Sequence, residues 1–412
     1  MGKMCQCGND ERSRYSVPLS IVGGALCLLL GAGITMAGTP EVNTSQIATA
    51  DHGANPDLDW HEGTGNLFIT MPRFETESSW HVYFSNDNGR NWSEKLSLSS
   101  KFEIQHKISG IVCGDYFYVT SPSLDEHGAM IRRFNASTGA LDNGFGANEV
   151  FSEPSVTVRH LELASNRDDR LYLFSILSDG TLKYYWTDQD GGAGSAPWGE
   201  VDTGVTDANR YLDVSYVEGH SVFGNFLFAV YRVGQGQVSV FQQSISSNST
   251  TLLDGDSSKT VVRISAYGDT VVVVYEHSFG GGADGVKYMI SYDGGDSWNW
   301  GTIDDGSAGD AFDADVTLRR GGGIVVAYTG FDNIGGNVFL RTRDYPSGSA
   351  WSDPVAVLDN QHQHYRQNEV ENLPEGGPGI ITFSVPGVIA QFDQTPMIWN
   401  NGFELGDTVG WQ

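Results

Sequence analysis

Apolar residues in this chain fall into short runs that return about every fifty positions. Each repeat starts with a few alternating polar and apolar residues and passes through a turn marked by glycine. It then continues into a run that is apolar at nearly every position, such as Val271–Tyr275 or Ile324–Tyr328. Strands of that continuous apolar character are covered on both faces. Seven repeats begin in this way, at Asp57, Ile108, His160, Tyr211, Arg263, Asp315 and Glu369.

Third runs follow the apolar ones, for example Trp80–Phe84 and Val286–Ile290, and no stretch combines a helical period with caps. A repeat of about fifty residues built only of strands has the size of a four-stranded β-propeller blade. The pattern therefore predicts an all-β propeller with seven four-stranded blades, and six blades plus a cap is the alternative count. The seventh repeat lacks an outer strand, and we expect the N-terminal run Val42–Ala48 to supply it and close the ring.

The first 37 residues have the form of a bacterial signal peptide. Basic residues precede an apolar run from Val17 to Met36, which ends in the cleavage-site sequence Thr35-Met36-Ala37. Pro18 and the glycines in the run favour cleavage, whereas an uncleaved segment would anchor the chain in a membrane. We expect the signal over residues 1–37, the propeller over 38–396, and a tail or the stub of a further module over 397–412. The protein is then secreted, or held at the cell surface or in the periplasm.

The charge of the chain limits the partners that we expect, and its cysteine content limits the disulfides. The chain has 51 acidic and 24 basic residues, a formal net charge of −27. Such a surface repels phosphate backbones, so we expect no nucleic-acid partner, and we expect a monomer. Cys113 is the one cysteine outside the signal, which excludes a disulfide within the mature chain. Its apolar neighbours predict a buried thiol without a catalytic role.

Two loops share the pattern Ser-x-Asp-x-Gly-x-x-Trp directly after a third strand. Ser85, Asp87, Gly89 and Trp92 in the first loop match Ser291, Asp293, Gly295 and Trp298 in the second. In such a turn the aspartate accepts hydrogen bonds from backbone amides, the glycine takes a positive φ and the tryptophan packs under the loop. On these residues, about residues 42–395 resemble the Asp-box (BNR-repeat) propellers of the sialidase-like superfamily. The resemblance implies that both loops are structural and lie away from any central site.

Sialidases resemble one another in an arginine triad that binds the substrate carboxylate, a tyrosine–glutamate nucleophile pair and an aspartic acid. Their first arginine lies in a Phe-Arg-Ile-Pro-like motif. The nearest string in this chain is Met71-Pro72-Arg73-Phe74, which has another order and follows a second strand. The resemblance therefore implies the scaffold, and it transfers no catalytic residue to this chain.

Alignment of the repeats places a polar or ionisable residue just before the first apolar position of every first strand. These residues are Asp57, Lys107, His160, Tyr211, Arg263, Asp315 and Glu369, with Arg159, Arg210 and Arg366 close by. First strands surround the axis of a propeller, so we expect these side chains to line a central site. The arginines, Lys107 and His160 are candidate ligand-binding residues, suited to an acidic sugar or a peptide. Tyr211, Glu369, Asp57 and Asp315 are candidate catalytic residues. The alternative is that these residues are polar only because the rim of a central channel is exposed to solvent, and that they bind no specific ligand.

No metal site is predicted. His362-Gln363-His364 has no third ligand nearby, and the acidic turns Asp188–Gly191 and Asp304–Gly306 do not complete a calcium loop. Calcium is the one cofactor that these turns leave open.

Together these features predict a secreted propeller that binds extracellular glycans or proteins at its axial face. A sialidase-like exo-glycoside hydrolase with a diverged arginine motif is the first alternative, so the sequence leaves open whether the chain is an enzyme. A structural propeller within a surface assembly is the second alternative. Contact with a membrane is expected only if the signal segment stays attached.

Overall fold

The computed structural model describes eighteen segments of the chain, all within the compact unit Pro40–Gln412. The described residues are 42–48, 56–74, 78–99, 108–166, 169–188, 198–220, 224–234, 236–243, 248–255, 259–279, 283–307, 309–319, 323–332, 335–344, 350–358, 366–372, 378–384 and 387–393. No helix among these residues is long and apolar enough to cross a membrane.

The described residues form twenty-eight strands. The first nine are β1 (Val42–Ala48), β2 (Asp57–Trp60), β3 (Leu67–Phe74), β4 (Ser78–Ser85), β5 (Ser93–Ser99), β6 (Gly110–Cys113), β7 (Tyr116–Pro122), β8 (Gly128–Asn135) and β9 (Asn148–Ser152). Then come β10 (Val158–Ser165), β11 (Arg170–Leu177), β12 (Leu182–Asp188), β13 (Gly199–Val205), β14 (Ala208–His220), β15 (Gly224–Val233), β16 (Gln237–Gln243), β17 (Asn248–Asp254), β18 (Lys259–Tyr267) and β19 (Thr270–Phe279). The last are β20 (Ala283–Ser291), β21 (Asn299–Asp304), β22 (Ala311–Arg319), β23 (Gly323–Asp332), β24 (Gly335–Asp344), β25 (Val355–Leu358), β26 (Arg366–Asn372), β27 (Pro378–Ser384) and β28 (Gly387–Asp393).

These strands form four-stranded sheets, and the predicted all-β propeller is confirmed. Six sheets each take four consecutive strands, from β2–β5 to β22–β25, which is the number in the alternative count. One more four-stranded sheet in the described chain has the order β1-β28-β27-β26, so it is composed of both ends of the strand series. β1 pairs with β28 from Val42 opposite Asp393 to Ala48 opposite Val388, which confirms that the N-terminal strand completes this sheet.

The first strand of each sheet contacts the first strand of the next. The contacts run from β2 through β6, β10, β14, β18 and β22 to β26, and β26 contacts β2 again. First strands therefore surround the axis, and each second strand lies between two neighbouring sheets. In β19, Val271, Val273 and Tyr275 pack toward the β14–β17 sheet, whereas Val272 and Val274 pack toward the β22–β25 sheet. Alternate side chains point to opposite faces, which explains why this run is apolar at every position.

Every strand pair is antiparallel, which defines two ends for each sheet. One end carries the start of the first strand and the connection between the second and third strands. The other end carries the hairpin between the first and second strands and the loop between the third and fourth, which includes Ser85–Trp92 and Ser291–Trp298. We call the former the bulged end, because the register of five first strands shifts there, and the latter the turn-loop end.

Cys113 is buried and is a free thiol, as its apolar neighbours predicted.

Candidate functional site

Polar side chains of the first strands bond to backbone amides of the next first strand around the axis. Asp57 Oδ2 accepts a hydrogen bond from Gly110 N at 2.8 Å, and Asp59 Oδ2 accepts one from Val112 N at 2.6 Å. The same link recurs from Ser109 Oγ to Leu163 N (3.0 Å), Asp213 Oδ2 to Ile264 N (2.8 Å), Ser215 Oγ to Ala266 N (3.1 Å) and Ser265 Oγ to Leu318 N (3.1 Å). A first strand pairs with its own sheet along one edge only, so the amides of its other edge need acceptors. These side chains supply them and join neighbouring sheets.

The links correct the alignment of the repeats that the sequence suggested. Each link runs from one position in a first strand to the amide one residue further along in the next. By this register Ser109 and Glu162 are equivalent to Asp57, and Asp213 and Asp315 are equivalent to Arg263. His160 and Tyr211, which were predicted to share the position of Asp57 and Arg263, lie two residues before Glu162 and Asp213. Apolar residues recur with period two in a strand, so an alignment by apolar positions alone can slip by two.

Asp57, Arg263 and Asp315 contact protein groups at the axis, which differs from the predicted exposure to a ligand. Asp57 is 8% exposed and accepts the bond from Gly110 N. Arg263 is 6% exposed, donates to the carbonyl of Val262 at 3.1 Å, and lies 3.7 Å from the buried carboxylate of Asp315. A buried charge is retained where it is paired and hydrogen-bonded. These contacts indicate that all three side chains hold neighbouring sheets together.

The other predicted axial residues are only partly brought together. His160 is buried with its Nε2 3.6 Å from Glu162 Oε2, and Glu162 Oε1 accepts a bond from Ser109 Oγ at 2.8 Å. Arg210 lies in β14, and Arg366 and Glu369 lie in β26, but their side chains lie outside the described part of the chain. Lys107 is outside the described residues.

Bulges interrupt the start of five first strands. The register shifts between Val158 and His160 in β10, twice between Ala208 and Leu212 in β14, between Lys259 and Val262 in β18, between Phe312 and Asp315 in β22, and between Arg366 and Glu369 in β26. All five lie at the same end of their sheets. A bulge inserts residues that the ladder does not use and redirects their side chains, and bulges are over-represented beside functional sites.

Two of these bulges hold a residue other than glycine in the left-handed region. Tyr211 in β14 has a φ of 56° and Asp313 in β22 has a φ of 51°. Such backbone costs about 1–2 kcal/mol for a residue with a Cβ, so the surrounding structure must impose it. Tyr211 and Asp313 are both partly exposed. This geometry is the strongest local sign of a functional surface in the described chain.

Polar groups of neighbouring sheets meet around these bulges. Arg159 Nη1 lies 3.4 Å from Asn209 Oδ1 of the next sheet, and Asn209 Nδ2 donates to the carbonyl of Gly234 at 2.7 Å. Asp313 N donates to Glu276 Oε1 of the preceding sheet at 2.5 Å. The sequence pattern indicated Arg159 and Tyr211 but not Asn209, Glu276 and Asp313. Nothing in their spacing separates them from ordinary turn residues, because a bulge leaves no mark on the apolar pattern.

The two turn loops have the same hydrogen bonds. Asp87 Oδ1 accepts from Asn91 N at 2.9 Å, and Asp293 Oδ1 accepts from Ser297 N at 2.8 Å. Ser85 Oγ and Ser291 Oγ accept from the amides of Gly89 and Gly295, and Trp92 Nε1 and Trp298 Nε1 donate to the carbonyls of the same glycines at 3.0 Å. Gly89 and Gly295 have φ values of 76° and 95°, and the two tryptophans pack against the sheet cores.

The carboxylates of these loops titrate below their ordinary range. Burial alone would raise the pKa of Asp87 and Asp293, but hydrogen bonds outweigh it. Donors from Asn91 and Ser85 lower the pKa of Asp87, and donors from Ser297 and Ser291 lower the pKa of Asp293. Both side chains are therefore charged in the turn at neutral pH, and their bonds are internal to the loop.

Among the described residues, no group of three or more His, Cys, Asp and Glu side chains is placed to hold a metal ion. His362 and His364 lie outside those residues.

Comparison with known proteins gives structural neighbours only. No protein-family model and no curated protein matches the chain. Among solved structures, it is similar to the β-propeller domain of the Trilobed protease from Pyrococcus furiosus, with 10% sequence identity and a TM-score of 0.50, over 84% of this chain and 96% of that one. That domain has an open velcro topology, whereas β1 pairs with β28 here.

Two sialidases are among the other neighbours. The K499G mutant of NanB sialidase from Streptococcus pneumoniae is 11% identical, with a TM-score of 0.48 over 87% of this chain and 71% of that one. The intramolecular trans-sialidase from Ruminococcus gnavus is 9% identical, with a TM-score of 0.44 over 84% of this chain and 96% of that one. Likeness at such identity extends to the propeller fold and not to activity.

Proposed function

We propose that this chain is a secreted propeller that binds an extracellular glycan or protein ligand at the bulged end of its sheets, around the axis. The observation that carries the proposal is the left-handed backbone of Tyr211 and Asp313 within bulges at that end. Strain of this kind persists where function or packing requires it, and it clusters at ligand sites. Arg159 and Asn209 lie at the same end and add polar groups that suit hydrogen bonds to a sugar or a peptide.

The buried side chains of the first strands support a binding site at the bulged end of the sheets over one between these strands. Asp57, Asp59, Glu162 and Asp315 are buried carboxylates of the described first strands, and Arg263 already lies beside Asp315. A carboxylate ligand between these strands would meet like charges. Contacts at Arg159, Asn209 and Tyr211 avoid that repulsion because these residues carry no negative charge and lie further toward the end of the sheets.

A glycan array with the purified protein tests the proposal. We expect selective binding to one class of glycan, and we expect Tyr211→Ala to weaken it about tenfold or more, which corresponds to about 1.4 kcal/mol. Tyr267→Ala is the matched control, because Tyr267 is 49% exposed at the turn-loop end, in the hairpin between β18 and β19. Its affinity should equal that of the unmodified protein.

Three results would point elsewhere. Equal loss in the Tyr211 and Tyr267 variants would show that the effect is not specific to the bulged end. Turnover of fluorogenic sialosides would favour the glycoside hydrolase. No binding to glycans or extracellular proteins, together with no turnover of sialosides, would favour a structural propeller.

A further inference from the structure

A hydroxyl, an imidazole and a carboxylate form a chain of hydrogen bonds on the outer strands of the β2–β5 sheet. Ser79 Oγ lies 2.8 Å from His81 Nε2, and His81 Nδ1 lies 3.1 Å from Glu94 Oε2. Ser79 and His81 are two residues apart in β4 and so lie on one face of the strand. Glu94 in β5 is in register with Tyr83, which places it on that same face.

The direction of these hydrogen bonds follows from the chemistry of the groups. An ionised carboxylate only accepts, so His81 Nδ1 must carry the proton that it donates to Glu94. In a neutral imidazole the other nitrogen then has a free lone pair, so the Ser79 hydroxyl donates to Nε2. A hydroxyl that donates to an imidazole held by a carboxylate is the arrangement that activates serine as a nucleophile.

Comparison with another sheet shows that the structure does not need histidine at this position. In the β10–β13 sheet, Lys183 lies two residues before Tyr185, and Tyr185 is in register with Glu200. Lys183 Nζ bonds to Glu200 Oε1 at 2.8 Å, so a lysine–glutamate pair occupies the place that His81 and Glu94 occupy in the first sheet. A lysine provides the ion pair but no base with a pKa near neutrality. The first sheet differs by having a base, and a serine next to it.

Exposure of the three side chains fits a reactive site at the protein surface. His81 is 4% exposed, so its ring is held in place, whereas Ser79 is partly exposed. The side chain of Glu94 is 42% exposed. Tyr83 is buried and its hydroxyl donates to Glu94 Oε2 at 3.4 Å, which helps to fix the carboxylate. A small acyl group can reach Ser79 from solvent, while the base below it stays ordered.

We propose that Ser79 is the nucleophile of an acyl-transfer site whose substrates are carboxylic esters with small acyl groups. His81 is the general base, and Glu94 is a positioning residue. Ser79 Oγ forms a bond to the acyl carbon as its proton passes to His81 Nε2. The ester C–O bond breaks and the alcohol leaves with that proton. Water then attacks the acyl-serine with the same base and releases the carboxylic acid. This site is separate from the proposed ligand-binding surface at the axis.

A fluorophosphonate probe tests the first step directly, because Ser79 Oγ would bond to phosphorus and displace fluoride. The full-length protein is treated, digested and analysed by mass spectrometry, and the labelling rate is measured by in-gel fluorescence. We expect one adduct, at Ser79, and no adduct in Ser79→Ala. Ser97→Ala is the matched control, since Ser97 is an exposed serine in register with His81. It should label at the rate of the unmodified protein.

Two further variants separate catalysis from structure. His81→Lys recreates the ion pair seen at Lys183 and Glu200, so the melting temperature should be kept while labelling falls about 100-fold or more. Glu94→Gln should slow labelling by about tenfold at unchanged stability. An adduct elsewhere than Ser79, no adduct in the folded protein, or labelling of His81→Lys at the full rate would overturn the proposal.

Discussion

The two ends of the sheets differ in how far their local structure repeats from one sheet to another. At the turn-loop end, two loops more than two hundred residues apart in sequence repeat the same hydrogen bonds, glycine conformations and tryptophan contacts. At the bulged end, the inserted residues differ from one sheet to the next: Arg159, Asn209 with Tyr211, and Asp313. The repetition indicates that both loops serve the folding of their sheets. The end where neighbouring blades differ is where a particular ligand can be recognised.

Loss of a turn-loop tryptophan should have the largest effect on stability. Trp298 packs against the core between two sheets, and its Nε1 donates to Gly295 O. Trp298→Ala should lower the free energy of unfolding by about 3 kcal/mol in urea denaturation. Trp300 lies two residues on and is 73% exposed, so Trp300→Ala should change it by less than about 0.5 kcal/mol. Similar losses in both variants would contradict a structural role specific to Trp298.

The next largest effect on stability is expected when a hydrogen bond between neighbouring first strands is removed. This change tests whether the side chains at the axis stabilise the fold, like the turn loops, or bind a ligand, like the bulged end. Asp57→Ala deprives the buried amide of Gly110 of its acceptor, so we expect a loss of about 2 kcal/mol in the free energy of unfolding. Asp115→Ala removes an exposed aspartate and is the control. If Asp57→Ala left stability intact and abolished ligand binding, Asp57 would belong to the binding site.

The carboxylate of Asp293 in the second turn loop should make the free energy of unfolding depend on pH. Its native pKa is below the ordinary value, so its contribution is present above about pH 4 and is lost as the pH falls through the native pKa. Asp293→Asn should cost about 1 kcal/mol at pH 7, a figure reduced for solvent exposure, and the difference from the unmodified protein should shrink in acid. Asp296→Asn removes a charge from the same loop and is the control. A difference between Asp293→Asn and the unmodified protein that stayed constant down to pH 2 would argue against this contribution.

The smallest effect, and the one of opposite sign, is expected at the bulged end. Asp313→Gly relieves the left-handed backbone and should raise the free energy of unfolding by about 0.5–1 kcal/mol, while ligand affinity falls. Asp305→Gly, at a residue that does not have a positive φ, should lower it by about 0.5 kcal/mol. Stabilisation without any loss of ligand affinity would place Asp313 outside the binding site.

Much of the fold was predictable from the sequence because its physics is periodic. The continuous apolar run of Val271–Tyr275 required cover on both faces, and the unpartnered run Val42–Ala48 required an edge to join. The candidate site was less predictable, because bulges add residues without changing the order of apolar positions. The two-residue offset at His160 and Tyr211 arises because apolar residues recur with period two in a strand, so their pattern does not distinguish an alignment from one shifted by two. The pairing of His81 with Glu94 depends on the register of two strands, which the sequence does not specify by itself.

The pairing of β1 with β28 has a consequence for the order in which the protein folds. Val42 and Asp393 lie at opposite ends of the described chain, so this contact carries the largest loop-closure entropy of any strand pair in the ring. Each sheet of consecutive strands can assemble from local contacts, but the last sheet must await both ends. We therefore expect the closing step to be the slowest in folding, and β1 to exchange its amide protons with solvent sooner than β11 or β19.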